Sequence, residues 1–203
     1  MVGDVRIQII AMGLCLVMGA TACTKPPAYP YAQEPDPRTM EYVLDVPDEV
    51  KITVWRHDEL NTRANIRPDG TLTMPLIGDI PAAGKTPSQL KAIVNERLRQ
   101  FVKLTDDYSV TVEVVNIGSY RVTVSGEVQR PSVLSPTHYL TVSEAITQVG
   151  GPTRFADSGS VEVVRTRPDG KVVRIPIRYD LLQKGEALEQ DIVLLRGDLV
   201  YVP

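Results

Sequence analysis

Residues capable of covalent or metal chemistry are scarce in this 203-residue chain, which has two cysteines, two histidines and one tryptophan. That inventory excludes a framework of several disulfides, a zinc knuckle and a histidine-rich metal site. No serine sits in a Gly-x-Ser-x-Gly elbow, so the usual strained nucleophile turn is missing. A basic excess is also missing. The formal net charge is −3, which argues against nucleic acid or an anionic membrane face as the main partner. With 43% hydrophobic and 23% charged residues, the chain is too apolar to be disordered. It has room for one ordinary domain or two small ones.

Long apolar runs are confined to the beginning of the chain. No charge occurs from Ile7 to Cys23, and residues 9–18 are strongly apolar. This run is short for a membrane-spanning helix and suits the core of a signal peptide. Gly19-Ala20-Thr21-Ala22 and then Cys23 follow, an order that resembles a bacterial lipobox. Cleavage is expected between Ala22 and Cys23, with lipid on the Cys23 thiol. Ala20 stands where that motif prefers leucine, and Asp4 offsets Arg6 in a weakly basic leader. Cys15 leaves with the leader, so Cys23 has no intramolecular disulfide partner. The several acyl chains of a lipoprotein anchor durably where a single chain does not. Thr24, as a residue other than aspartate after the cysteine, implies the outer membrane under the enterobacterial sorting habit. Residues 24–41 carry five prolines. They are expected to form a stiff tether, without helix or sheet, reaching up to ~55 Å.

From Tyr42 onward, β-type alternation is interrupted by two helical stretches. Val50, Ile52 and Val54 alternate with polar residues, and so do Tyr108, Val110, Val112 and Val114, then Tyr120, Val122 and Val124. Thr86-Pro87-Ser88-Gln89 is a capping box with proline at the first helical position. Leu90, Ile93, Val94, Leu98 and Phe101 mark one face of the helix it opens. Thr141-Val142-Ser143-Glu144 opens a second helix, which should stop at Gly150-Gly151. Arg-Pro-Asp-Gly occurs at 67–70 and again at 167–170, the same turn chemistry used twice. Val161 and Val163 precede the second copy and an apolar run to Ile177 follows it. The chain closes on Ile192 to Leu195, an Arg196-Gly197-Asp198 turn, and Leu199 to Val202.

Several stretches mimic catalytic or nucleotide sites. Gly78 to Thr86 ends in Gly-Lys-Thr, but five residues separate Gly78 from Gly84 where a phosphate loop needs four, and Pro81 removes an amide. Thr86 is better used as the helix cap. His57 falls in a charged loop and His138 beside Tyr139 ahead of a helix; neither is expected to act as a base. Asp48, Glu49, Asp58 and Glu59 lie close in sequence to Trp55, which would suit a sugar-binding cleft. A polar loop after an edge strand is the plainer reading. No enzyme activity and no cofactor are expected.

Three stretches carry a family resemblance. The first is Tyr42 to Trp55, with Asp48 turning into the strand that ends at Trp55. The second is Ile66 to Ile80, holding Pro68-Asp69-Gly70, Pro75 and Gly78, followed by Gly84. The third is Val122 to Pro131, with Gly126, then Gly150-Gly151 and the closing Gly197-Asp198 turn. Together they resemble the bacterial outer-membrane polysaccharide export lipoproteins. The resemblance implies an α+β fold of two small domains behind a signal peptide (1–22) and a lipidated proline-rich tether (23–41). An export domain, a mixed sheet with one helix, would occupy 42–116, and a soluble-ligand-binding β-grasp domain 117–203. It further implies a ring of identical subunits, an octamer in that family, conducting capsule or exopolysaccharide. The ring would dock on an inner-membrane polysaccharide co-polymerase. Long members add a C-terminal amphipathic helix that lines an outer-membrane pore. The mature sequence offers neither an apolar span near 20 residues nor enough alternating strands for a membrane barrel. A separate outer-membrane β-barrel protein is therefore expected to complete the exit path. A periplasmic carbohydrate-binding lipoprotein and a polymer-trimming enzyme are the alternative readings. Polymer-contacting residues remain unassigned.

Overall fold

The capping boxes and the alternating runs of the folded part become elements in the computed structural model, which describes residues 29–101 and 110–203. Expectations for Ala22, Cys23 and Tyr108 lie outside the described residues. Alternation produces β1 (Glu49–Val54), with Val50, Ile52 and Val54 buried. β1 is the middle strand of a sheet ordered β2-β1-β5, with β2 at Thr62–Asn65 and β5 at Val110–Asn116. A two-stranded hairpin of β3 (Thr71–Met74) and β4 (Gly78–Pro81) packs beside it. Helix α1 (Pro87–Leu98) starts where both halves of the Thr86–Gln89 capping box are formed. It lays Leu90, Val94 and Leu98 on this first core. Phe101 lies past the end of α1 and is exposed rather than on its buried face. The sheet is antiparallel throughout, where a mixed sheet was expected. A short connection between β1 and β2 favours that pairing.

The second unit has one five-stranded sheet ordered β7-β6-β10-β8-β9. Its strands are β6 (Val122–Gly126), β7 (Ser132–Leu134), β8 (Val161–Thr166), β9 (Val172–Ile177) and β10 (Leu199–Val202). Here the sheet is mixed: β6 and β10 run parallel, joined through more than seventy residues of intervening chain. Helix α2 (Val142–Gln148), opened by the Thr141–Glu144 capping box, covers one face, and the short α3 (Tyr179–Leu182) follows β9. Val122, Val124, Val161, Val163, Ile175, Val200 and Val202 point into a second core, separate from the first. The fold is α+β with two small units.

The two Arg-Pro-Asp-Gly turns are built alike. In each, the glycine amide donates to the arginine carbonyl, at 2.8 and 2.9 Å, and the arginine amide donates to the residue after the glycine, at 2.8 Å. Gly70 and Gly170 both take φ +80, a conformation that costs other residues about 1–2 kcal/mol. The aspartate secures the bend: Asp69 and Asp169 each accept the amide two residues on at 3.0 Å.

The proline-rich stretch departs from expectation. Rather than standing free, residues 29–40 form two short 3-10 turns, Tyr31–Gln33 and Pro37–Thr39, laid on the second unit. Tyr29 and Tyr31 pack against its core, and the Tyr31 hydroxyl donates to the Pro176 carbonyl at 2.5 Å. Proline disfavours regular helix and sheet but not a bent segment held by side chains, which is the form adopted here. The chain then crosses to the first unit, where the Glu41 carboxylate accepts the Ser88 amide at the start of α1 at 2.8 Å.

Candidate functional site

Two buried aspartates organise the molecule, and each ends a turn that leads into a strand. Asp48 precedes β1 and is fully buried. Its carboxylate accepts the Tyr42 hydroxyl at 2.7 Å, the Asp45 amide at 2.9 Å and the Ser119 amide at 2.8 Å. Ser119 lies in the segment between β5 and β6, so this carboxylate ties the two units together. The Tyr42 hydroxyl also meets Ser119 Oγ at 2.9 Å. Burial foremost, with Asp48 beside it, pushes the Tyr42 phenol well above its ordinary value. Arg196, from the turn before β10, reaches back to Asp45 and donates to the Val43 carbonyl at 2.8 Å. Gly118 completes the junction: a Cβ there would lie 2.8 Å from the Pro47 carbonyl oxygen. The interface between the units is thus a polar clamp rather than an apolar seam.

Asp198 repeats the turn geometry at β10, accepting the amide three residues back (Leu195) at 2.7 Å, as Asp48 does from Asp45. Its second partner is Arg165, whose side chain is 1% exposed and sits at an inward position of β8. Arg165 donates to Asp198 at 2.6 Å, to the Val193 carbonyl at 2.9 Å and to Glu34 at 2.6 Å. Glu34 also accepts from Arg167 at 2.5 Å and from the Tyr29 hydroxyl. Burial would raise the Glu34 carboxyl, but the Tyr29 hydroxyl and the two guanidinium groups outweigh it and hold the value low. At Asp198 burial wins, and its carboxyl is raised despite Arg165. Buried charges persist only when paired and hydrogen-bonded, and this cluster satisfies both conditions.

The remaining motif residues shape turns. Pro68, Asp69 and Gly70 form the turn between β2 and β3, and Pro75 and Gly78 the β3–β4 tip. Gly84 donates to the Leu44 carbonyl at 2.8 Å. Gly126 cannot be replaced without moving β10, because a Cβ there would lie 2.0 Å from the Val202 carbonyl oxygen. Pro131 leads into β7, and Gly150-Gly151 ends α2. Trp55 is 68% exposed at the end of β1 opposite Asp48. The supposed sugar cleft therefore does not assemble: Asp48 is buried in the junction and Glu49 pairs with Arg63 at 2.7 Å. The His57 ring meets the exposed Glu59 carboxylate at 3.1 Å.

Arg165, Glu34, Ser119 and Arg196 were missed in the sequence. One of them left a signal: Arg165 continues the inward phase of Val161 and Val163, and a charge on that face needs a partner. A shallow groove on α1, lined by Ser88, Lys91, Ala92, Asn95, Glu96 and Arg99, is a further surface feature. There Asn95 is 8% exposed and its Oδ1 meets no hydrogen-bond donor. Among the described residues no group of three or more His, Cys, Asp or Glu side chains is arranged to hold a metal ion, and no helix is long and apolar enough to cross a membrane.

Comparison with known proteins gives two adjoining matches. Residues 36–115 match the family model described as polysaccharide biosynthesis/export protein, and residues 121–176 match the SLBB domain. The exopolysaccharide production protein ExoF of Rhizobium meliloti is 35% identical over 133 residues, which is 60% of this chain and 31% of that protein. The capsule polysaccharide export outer membrane protein CtrA of Neisseria meningitidis is 31% identical over 139 residues, 64% of this chain and 31% of its own length. The polysialic acid transport protein KpsD of Escherichia coli is 24% identical over 148 residues, 72% and 25% respectively. The matched region spans about a third or less of each relative.

Proposed function

We propose that this chain, which belongs to the polysaccharide biosynthesis/export proteins, is a lipid-anchored outer-membrane component through which capsule or exopolysaccharide leaves the cell. The observation that carries the reading is the paired match: an export domain and an SLBB domain in succession, with the Asp48–Ser119 clamp between the two units. Export is transport, and a conduit for a hydrated polymer needs a polar wall rather than a catalytic constellation. Copies of the chain form a ring around the polymer, an octamer as in the family it resembles, docked on an inner-membrane polysaccharide co-polymerase. The domains run 42–116 and 117–203, and the anchor is lipid on Cys23 after cleavage behind Ala22. The helices of the described residues are too short to cross a membrane. A separate outer-membrane β-barrel protein is the proposed partner that completes the exit path.

An in-frame deletion, scored for surface polysaccharide beside a Cys23→Ala strain, tests the reading. Loss of surface polymer in the deletion is expected. Intact polymer in the deletion overturns export and favours a carbohydrate-binding lipoprotein outside the conduit. Export persisting in Cys23→Ala refutes the need for the anchor. Light scattering of the purified lipidated protein tests the ring, and a monomer at all concentrations argues against it.

A further inference from the structure

Sheet edges attract other strands unless they are short, interrupted or covered, and three of the four edges in the two larger sheets meet one of those conditions. β7 has three residues and β2 four. β9 contains Pro176, which offers no amide, and the Pro176 carbonyl is taken by the Tyr31 hydroxyl. β5 is the exception. It runs seven residues, Val-Thr-Val-Glu-Val-Val-Asn, rich in β-branched side chains and without proline or glycine. A bulge opposite Glu49 and Val50 interrupts only its last residues. Among the described residues β5 pairs with β1 alone, and beside Val110–Val112 a groove of about 210 Å³ separates it from Pro87, Ser88 and Lys91 of α1.

The charges on the exposed face of this sheet indicate which strand fits. Arg63, Lys51 and Glu113 stand in one row across β2, β1 and β5. Arg63 and Glu113 therefore end that row at opposite edges, one cationic and 61% exposed, the other anionic and 55% exposed. β2 and β5 both run antiparallel to β1, and so parallel to each other. Copies turned about an axis roughly along the strands can repeat the order β2-β1-β5, each join bringing Glu113 beside the neighbouring copy's Arg63. Opposite charges on adjacent strands contribute about 0.2–1 kcal/mol, whereas a two-fold β5–β5 contact centred on Glu113 sets like charges face to face. That contact would also leave both β2 edges open.

We propose that β5 pairs in parallel with β2 of a second copy of this chain, so that the three-stranded sheets of the first units join edge to edge into one closed sheet. The inference rests on the ring reading above and names the strands that make the ring. The contact is heterologous, one edge meeting a different edge, and such contacts close into rings when the rotation per copy allows it. Closure leaves no open edge, which removes the liability of β5.

Disulfide trapping in the full-length acylated protein, where lipid blocks the Cys23 thiol, tests it. Within one chain Arg63 and Glu113 are two strand spacings apart, about 9.5 Å, beyond the roughly 7 Å that a disulfide spans. A bond between Arg63→Cys and Glu113→Cys must therefore join two chains. That double variant, and Asn65→Cys/Glu113→Cys, which covers a two-residue stagger, are mildly oxidised and read on non-reducing gels. A ladder running beyond the dimer is expected in one of the two, with severalfold more crosslinked protein than in any single variant. Circular dichroism checks that the fold is kept. No ladder in either folded double variant overturns the proposal. Strong dimer from Glu113→Cys alone overturns it in favour of a two-fold β5–β5 pair. Light scattering separates the two readings: a ring without the ladder refutes the strand pairing alone, whereas a monomer at all concentrations refutes the ring and this proposal together.

Discussion

Replacing Asp48 with alanine removes the carboxylate that three donors share, and the structure indicates what each donor loses. The Ser119 amide is buried and, among the described residues, donates to Asp48, the Asp45 amide is partly buried, and the Tyr42 hydroxyl retains Ser119 Oγ. A hydrogen bond to a charged group contributes about 1.5–3 kcal/mol, and a buried orphan donor costs about 1–3 kcal/mol. With one donor fully stranded, one half stranded and one re-partnered, the loss comes to about 4 kcal/mol. For a protein of this size that corresponds to a fall in Tm of about 10 °C. The clamp also makes a qualitative prediction. The two hydrophobic cores are separate, so losing their polar link should split one unfolding transition into two, with the first unit melting earlier. Calorimetry reads the split, and the fluorescence of Trp55, the protein's one tryptophan, reports the first unit alone. Tyr42→Phe should cost only about 1 kcal/mol, because Asp48 keeps its two amides. A single transition for Asp48→Ala within a degree or two of the parent would refute the clamp.

Gly126→Ala should destabilise by about 3 kcal/mol or more, since the new methyl meets the Val202 carbonyl, whereas Gly197→Ala, at φ +81 in open space, should cost about 1–2 kcal/mol; urea midpoints compare them, and equal losses would contradict the close approach. Asn95→Leu should leave stability unchanged or raise it by about 1 kcal/mol, because it removes a buried oxygen without a donor; a large loss in thermal unfolding would show that this oxygen has a partner. Glu34 titrates below its ordinary 4.5 in the folded protein, so its stabilisation is complete above 4.5 and is lost as pH falls through the lower folded value. Asp198, raised above its ordinary 3.8, works in the opposite sense: what it contributes is present below 3.8 and fades as pH rises through its folded value. Acid should therefore release residues 29–36 from the second unit before its core melts. Hydrogen exchange at Gln33 and Glu34, whose amides close the 3-10 turn, should rise first, and simultaneous exchange of β8 would refute this order.

Local signals were legible because their partners lie within a few residues. Alternation located β1, β5, β6 and β8, and both capping boxes placed a helix start at the correct residue. The repeated Arg-Pro-Asp-Gly bends are likewise set by proline, aspartate and glycine acting on their own neighbours. Phe101 misled because it sits in phase with the α1 face but beyond the helix end. The clamp and the docking of residues 29–36 could not be read this way. Ser119 stands 71 positions from Asp48, and Glu34 stands 131 from Arg165. Nothing in a proline-rich run distinguishes a free tether from a docked one, since both need only the absence of helix and strand. The β1–β5 pairing was also remote, Val54 meeting Val110 and Glu49 meeting Asn116, because that mate is chosen by tertiary packing rather than by local preference.

Arg165 also constrains the order in which the molecule can fold. Its partners come from opposite directions along the chain, Glu34 far upstream and Asp198 in the turn just before the final strand. Closing the 131-residue interval to Glu34 costs about 2 kcal/mol more loop entropy than closing one of ten residues. A chain delivered from its first residue onward must extend past Pro176 before residues 29–36 find their partners. The parallel β6–β10 pair imposes a longer delay, because the sheet lacks an inner strand until residues 199–202 arrive. During that interval the β6 and β8 edges are unpaired, a state prone to aggregation. A chaperone that shields strand edges would matter most for the second unit, while the described strands and helix of the first all lie before residue 117 and precede it.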